Sequence, residues 1–196
     1  VTIKKAVIAG LLSCGCEVVD VGLSPSPTIQ WAVKELKADG AVVITASHNP
    51  REYNGLKFTD LEGNWLNRTH EAQIEDVFFA ETFRRVPWNE IHDVEIEPNL
   101  NAMYNAAVLE YISPFEKTNL RVLVDCSNSV GALTTPYILQ KMGCRVSTIN
   151  SQLDGNFPGR NPEPVPENIS NLMKLTKSGN FDIGLAHDGD ADRLIT

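Results

Sequence analysis

The sequence predicts an α/β protein: two tandem, similar α/β domains with mostly parallel sheets. Three observations carry that prediction. Short β-branched runs alternate with one-sided helical patterns along the chain, the arrangement that builds parallel sheets. Two of the strands, "AVVITA" and "DIGLAH", are apolar nearly throughout, as befits strands covered on both faces. The order of elements also repeats: each half has a helix, a Gly-Cys pair (Gly15-Cys16 and Gly143-Cys144), a strand, a Pro-rich loop, an amphipathic helix, and an apolar strand running into a polar loop that carries a histidine.

In chain order, Ile3, Val7, Gly10 and Leu11 fall at helical spacing, Gly15 stops that helix, and "GCEVVDVG" supplies a strand. After the loop "LSPSPT", Ile29, Ala32, Val33 and Leu36 mark a second helix, started by Pro27 and ended by Gly40. "AVVITA" is then read as a parallel strand, "KFTDLEGNWL" as a polar hairpin, and Thr69 to Phe83 as a helix. "EIHDVEIEPNL" reads as charged and irregular. Leu100, Met103, Ala107, Val108 and Tyr111 restart a helical face, which places the domain boundary between residues 98 and 99 and gives domains 1–98 and 99–196. The second domain reads as the strand "RVLVDC", a helix over Leu133 to Met142, the strand "GCRVSTIN", the loop "NFPGRNPEPVPEN", a further helix, and the strand "DIGLAH".

Composition narrows the partners. Of 196 residues, 17 are basic and 25 acidic, a net charge of -8. With no basic cluster to neutralise phosphates, nucleic acid is not an expected partner. No run approaches the ~18 apolar residues of a membrane span, so no membrane partner is expected either. Cys14, Cys16, Cys126 and Cys144 lack zinc-site spacing and read as buried, reduced thiols of a cytoplasmic protein. The sequons at Asn67 and Asn168 read as chance matches without a secretory signal.

Ligands of parallel α/β sheets collect beyond the carboxyl ends of the strands. Both "TASHNP" and "HDGDADR" lie at such ends. Asp188, Asp190 and Asp192 recur at alternate positions with only Gly189 and Ala191 between them. Three carboxylates that close repel unless a cation sits among them, and hard oxygen ligands select Mg²⁺ or Ca²⁺. An EF-hand is disfavoured, because Arg193 stands where that loop needs glycine. Mg²⁺ commonly shares phosphate oxygens, which points to a phosphorylated partner that Arg193 can grip.

Ser47 is not framed by a G-x-S-x-G elbow, and His48, its neighbour in sequence, is poorly placed to act as its base. A serine can instead carry a phosphoryl group against a metal held by the aspartates. Mg²⁺, Lys57, Arg193 and His48 would then supply the positive charge that phosphoryl transfer needs. Asn54-Gly55 returns Lys57 toward the strand end, where it is also placed to move a proton. A metal-dependent sugar phosphatase and a noncatalytic Mg²⁺-binding module remain open alternatives.

"TASHNPREYNGLKF" together with "DGDADR" resembles the α-D-phosphohexomutase family, which includes phosphoglucomutase, phosphomannomutase and phosphoglucosamine mutase. "VGLSPSPT", "VDCSNSVGA" and "FPGRNPEPVPENI" resemble its archaeal and bacterial phosphomannomutase or phosphoglucosamine mutase branch. The resemblance implies reversible transfer of phosphate between O1 and O6 of a phosphorylated hexose through a hexose 1,6-bisphosphate. It implies phosphorylation of Ser47, Mg²⁺ held by Ser47, Asp188, Asp190 and Asp192, acid/base work by Lys57, and His48, Asn49 and Arg193 lining the transfer site. Arg51 departs from the pattern, standing where a second proline is common. Family members have four domains, so the resemblance also implies a truncated part of a four-domain enzyme: most of domain one plus domain two, inactive alone, with domains three and four as partners.

Overall fold

The computed structural model describes residues 2–196. Its first half contains helix α1 (Thr2–Ser13), strand β1 (Val18–Asp20), helix α2 (Ser26–Glu35), strands β2 (Val42–Ile44) and β3 (Leu56–Phe58), helix α3 (Arg68–Ala80) and strand β4 (Val94–Ile96). The second half contains α4 (Leu100–Tyr111), β5 (Arg121–Asp125), α5 (Thr135–Lys141), β6 (Arg145–Ile149), α6 (Ser170–Ser178), β7 (Ile183–His187) and β8 (Leu194–Ile195). No described helix is long and apolar enough to cross a membrane.

The second half forms one four-stranded sheet in the order β6-β5-β7-β8, parallel except for the edge strand β8. Strand β5 shows why this sheet is buried on both faces. Val122 and Val124 point to one side and pack with Cys126, Leu185 and Leu139 of α5. Leu123 points to the other and packs with Ile169, Ala186 and Leu172 of α6. Each such side chain contributes roughly 1.5–3 kcal/mol on burial, so the apolar run fixes β5 in the middle layer between helices.

The first half departs from the expected regularity. β1 pairs in parallel with β4, whereas β2 pairs antiparallel with β3, setting Val43 opposite Lys57. "AVVITA" is therefore not a parallel strand: of β2 only Val43 is buried, and the chain loops out through Ser47 before returning through Asn54-Gly55 into β3. The hairpin region extends through a bridge between Thr59 and Trp65. "EIHDVEIEPNL" is not wholly irregular either, since it supplies β4.

Helix ends follow local chemistry. Pro27 sits in the first turn of α2, as expected, but the helix stops at Leu36 with Lys37 in the left-handed region, before Gly40. Asn67 caps α3 by accepting from the Thr69 and His70 amides at 3.0 and 3.2 Å. In α4 the buried residues are Leu100 and Asn105, and Tyr111 is 90% exposed rather than on a core face.

The proposed 98/99 boundary falls in the turn between β4 and α4, and α4 contacts both α2 and α5. Tyr104 meets Trp31 of α2 edge to face at 5.7 Å, and the Asn105 amide donates to the Leu133 carbonyl at 3.2 Å. This helix holds the two halves so that the carboxyl ends of β2 and β7 converge. All four cysteines are free. Cys126 is buried, which pushes its thiol up to about 12, but Cys16 is exposed in the coil before β1, against the expectation of uniformly buried thiols.

Candidate active site

The loop after β2 presents Ser47 in a left-handed backbone conformation, with φ of 54°. A non-glycine residue held there marks a site where surrounding structure overrides local preference. Here the Thr45 hydroxyl accepts the Ser47 amide at 2.8 Å and pins the turn. The Ser47 hydroxyl lies 3.4 Å from Asp188 Oδ2 and 3.3 Å from His48 Nδ1. With Ser47 in this left-handed turn, the ring of its sequence neighbour His48 lies within reach of the hydroxyl.

The loop after β7 places Asp188, Asp190 and Asp192 so that one carboxylate oxygen of each lies within 4.8 Å of the others. Asp188 is fully buried and Asp190 nearly so. Asp188 Oδ1 accepts the Arg193 amide at 3.1 Å. Asp190 Oδ2 accepts from the Ser26 hydroxyl at 2.9 Å, the Lys57 ammonium at 3.0 Å and the Thr45 hydroxyl at 3.3 Å. Lys57 also reaches Asp192 Oδ2 at 3.3 Å.

Electrostatics divides the carboxylates. Burial, reinforced by the negative charge of Asp190, pushes the Asp188 carboxyl up to about 7. Asp190 is also desolvated by burial, yet the Lys57 and Ser26 hydrogen bonds outweigh that and hold it below the ordinary range. Burial works against the Lys57 charge, but the Asp190 carboxylate overrides it and keeps the ammonium protonated to higher pH than usual.

The donor set fits a hard divalent cation. Asp190 Oδ1 is buried with no hydrogen-bond partner, and a buried carboxylate oxygen left that way is costly. No described cationic side chain within salt-bridge distance reaches Asp188. Three oxygen ligands on a tight loop, one aimed at no protein donor, suit Mg²⁺.

The remaining expected residues are less central. The Arg193 guanidinium turns to Glu163 at 3.2 Å, and the Asn49 amide closes on the Ala46 carbonyl at 3.1 Å. Several residues had no local signal. Ser26 and Thr45 bond Asp190 across more than a hundred residues of sequence. The Ser129 hydroxyl donates to the Gly189 carbonyl, and Glu163 contacts both His48 and Arg193.

Comparison with known proteins agrees with this architecture. The family model "Phosphoglucomutase/phosphomannomutase, alpha/beta/alpha domain I" matches residues 1–85, and the corresponding domain II model matches residues 102–196. The chain belongs to the phosphoglucomutase/phosphomannomutase family. A "Phosphoglucomutase/phosphomannomutase" of Thermococcus kodakarensis is 47% identical over 98% of this chain and 42% of its own length. A "Phosphopentomutase" of the same organism is 43% identical over 99% of this chain and 42% of its own length. The crystal structure of a phosphoglucomutase/phosphomannomutase family protein from Burkholderia thailandensis superposes with a TM-score of 0.85 at 28% identity, over 98% of this chain and 42% of that one. The chain thus spans about two fifths of the length of these relatives.

Proposed function

We propose that this chain carries the phosphoserine and metal-binding domains of a sugar-phosphate mutase, residues 1–98 and 99–196, acting between hexose 1-phosphate and hexose 6-phosphate. The observation that supports this best is the Ser47 hydroxyl at 3.4 Å from Asp188, beside a buried carboxylate oxygen with no protein donor. In the proposed reaction Ser47 Oγ takes a phosphoryl group from a hexose 1,6-bisphosphate. The Oγ–P bond forms, the sugar O–P bond breaks, and the Ser47 proton moves to His48 Nδ1. The departing sugar oxygen takes a proton from the Lys57 ammonium, and the reverse sequence returns phosphate to the other hydroxyl. Asp188, Asp190 and Asp192 would hold Mg²⁺, which supplies positive charge to phosphoryl oxygens in a loose transition state. Arg193 and Asn49 would contact the phosphorylated substrate.

The relatives' names cover both a hexose and a pentose mutase at similar identity, so these two domains supply transfer chemistry rather than sugar selection. The chain alone is expected to be phosphorylated on Ser47 but not to turn over, because positioning by the rest of such an enzyme supplies much of the rate.

Incubation with hexose 1,6-bisphosphate and Mg²⁺, followed by intact-mass measurement, tests the reading. One phosphoryl group should be gained by the native chain and none by Ser47→Ala. Labelling of the alanine variant would sink the assignment. The file Ser47–His48–Glu163 favours a phosphatase as the second reading. Inorganic phosphate released from a hexose monophosphate without a bisphosphate primer would mark it.

A further inference from the structure

The two loops of the site are joined by one carboxylate that belongs to neither. Glu163, in the "NPEP" stretch between β6 and α6, offers Oε2 to His48 Nε2 at 3.3 Å and Oε1 to Arg193 Nη1 at 3.2 Å. His48 sits on the serine loop of the first half and Arg193 on the metal loop of the second. The two oxygens of one carboxylate therefore take one side chain each, His48 from one loop and Arg193 from the other. We propose that Glu163 is a positioning residue that sets His48 and Arg193 for phosphoryl transfer at Ser47, an inference that rests on the reading of Ser47 as the phosphate carrier.

The hydrogen-bonding roles are determined by what each group can do. The Glu163–His48 contact is an ion-pair contact at 3.3 Å, and an acceptor-only carboxylate beside Nε2 favours a proton on that nitrogen. In the neutral ring that places the proton on Nε2 and leaves the Nδ1 lone pair toward the Ser47 hydroxyl 3.3 Å away. Without Glu163 the other tautomer becomes available, in which Nδ1–H faces Ser47 and cannot take its proton. Arg193 commits one N–H to Glu163, and the rest of its guanidinium donors stay free for phosphoryl oxygens.

Glu163 is itself held in place. The buried Arg160 guanidinium donates to the carbonyls of Asn161 and Pro162, at 2.9 and 3.1 Å, immediately before it. The Asn168 amide donates to the Glu163 carbonyl at 2.8 Å. The carboxylate is thus a third exposed at its tip but fixed at its base. A half-exposed ion pair contributes little to stability, so a carboxylate fastened this firmly between two loops is better accounted for by orientation.

The test uses the Mg²⁺-loaded chain with hexose 1,6-bisphosphate, reading Ser47 labelling by quenched intact mass at several bisphosphate concentrations. Glu163→Ala should lower the maximal labelling rate about ten- to hundred-fold, with the half-saturating concentration moved less than about threefold and the urea midpoint unchanged. Glu163→Gln keeps one acceptor for His48 and should recover part of the rate. Long-range ¹H–¹⁵N spectra at about pH 8, where free imidazole is neutral, supply an activity-independent readout, with His48 signals assigned by their loss in His48→Gln. The native chain should show the Nε2–H tautomer, Glu163→Gln should keep it, and Glu163→Ala should show a mixture. Wild-type labelling by Glu163→Ala, or an Nδ1–H tautomer in the native chain, overturns the proposal. If the native chain never labels, the phosphoserine reading fails, and the tautomer comparison decides Glu163 alone.

Discussion

Gly189 packs against the main-chain carbonyl of Ser47 so closely that a Cβ there would collide with that oxygen and touch the Pro162 ring at 3.3 Å. The missing side chain is what lets the metal loop approach the serine loop. Because Gly189 has no positive φ, alanine is acceptable to its own backbone and the collision is the whole effect. Gly189→Ala should therefore push the loops apart while the fold persists. We expect a loss of about 1–3 kcal/mol in urea unfolding and Ser47 labelling slower by about a hundred-fold. Wild-type labelling would show that the contact does not set the site.

The raised Asp188 carboxyl makes a prediction about pH. Its folded value near 7 lies above an unfolded value of about 3.9. Between them the folded chain holds a proton that the unfolded chain has lost, so this group's stabilisation is present below about pH 4 and is lost as pH rises through about 7. Asp188→Asn removes the dependence. Without metal, the variant should be more stable than the native chain at pH 8 by about 2 kcal/mol, and the gap should close toward pH 4. Mg²⁺ should stabilise the native chain and not the variant, and native Mg²⁺ affinity should fall about tenfold per unit below pH 7. Thermal unfolding across pH with and without Mg²⁺ checks all three.

Lys57 lies 3.0 Å from Asp190 and 3.3 Å from Asp192, where it offsets the acidic cluster directly. Lys57→Met should weaken the metal-free chain by about 1–3 kcal/mol, since it leaves partly buried carboxylates uncompensated. It also removes a competing cation, so calorimetry should show Mg²⁺ bound about tenfold more tightly. Labelling of Ser47 should nevertheless fall by at least about a hundred-fold. Tighter metal with slower chemistry separates a proton-handling lysine from a merely structural one.

What was legible in the sequence follows from range. β5 and β7 could be read because burial on both faces makes a run apolar whatever its neighbours are. The acidic loop could be read because Asp188, Asp190 and Asp192 are local. β4 and β8, three and two residues long, are too short to show a period. β2 reads as parallel because its run is apolar nearly throughout, and only pairing reveals that Lys57 of antiparallel β3 stands opposite Val43. Ser26, Thr45 and Glu163 act on residues of the other half, and no spacing rule reaches across the fold to them. His48 is legible as a site residue, but its contact with the Ser47 hydroxyl accompanies a backbone angle, the φ of Ser47, which sequence does not show.

The frame beneath the site rests on a buried pair, Asp125 and Arg160, whose side chains are 2% and 5% exposed and meet at 2.8 Å. Asp125 also accepts from the Ser127 amide and the Asn150 side chain, both at 3.0 Å. The guanidinium fork reaches the His187 carbonyl at the head of the metal loop as well as those of Asn161 and Pro162. Removing one partner strands a charge in the interior, so Asp125→Asn or Arg160→Met should each cost about 3–5 kcal/mol in urea unfolding. Arg160→Lys should recover little, because a single ammonium cannot serve a carboxylate and three carbonyls in fixed directions. The double variant Asp125→Asn/Arg160→Met should cost clearly less than the two single losses added together, since the second change removes the stranded charge left by the first. Additive losses would mean that the two residues act independently, and that the fork does not tie the ends of β5 and β7 together.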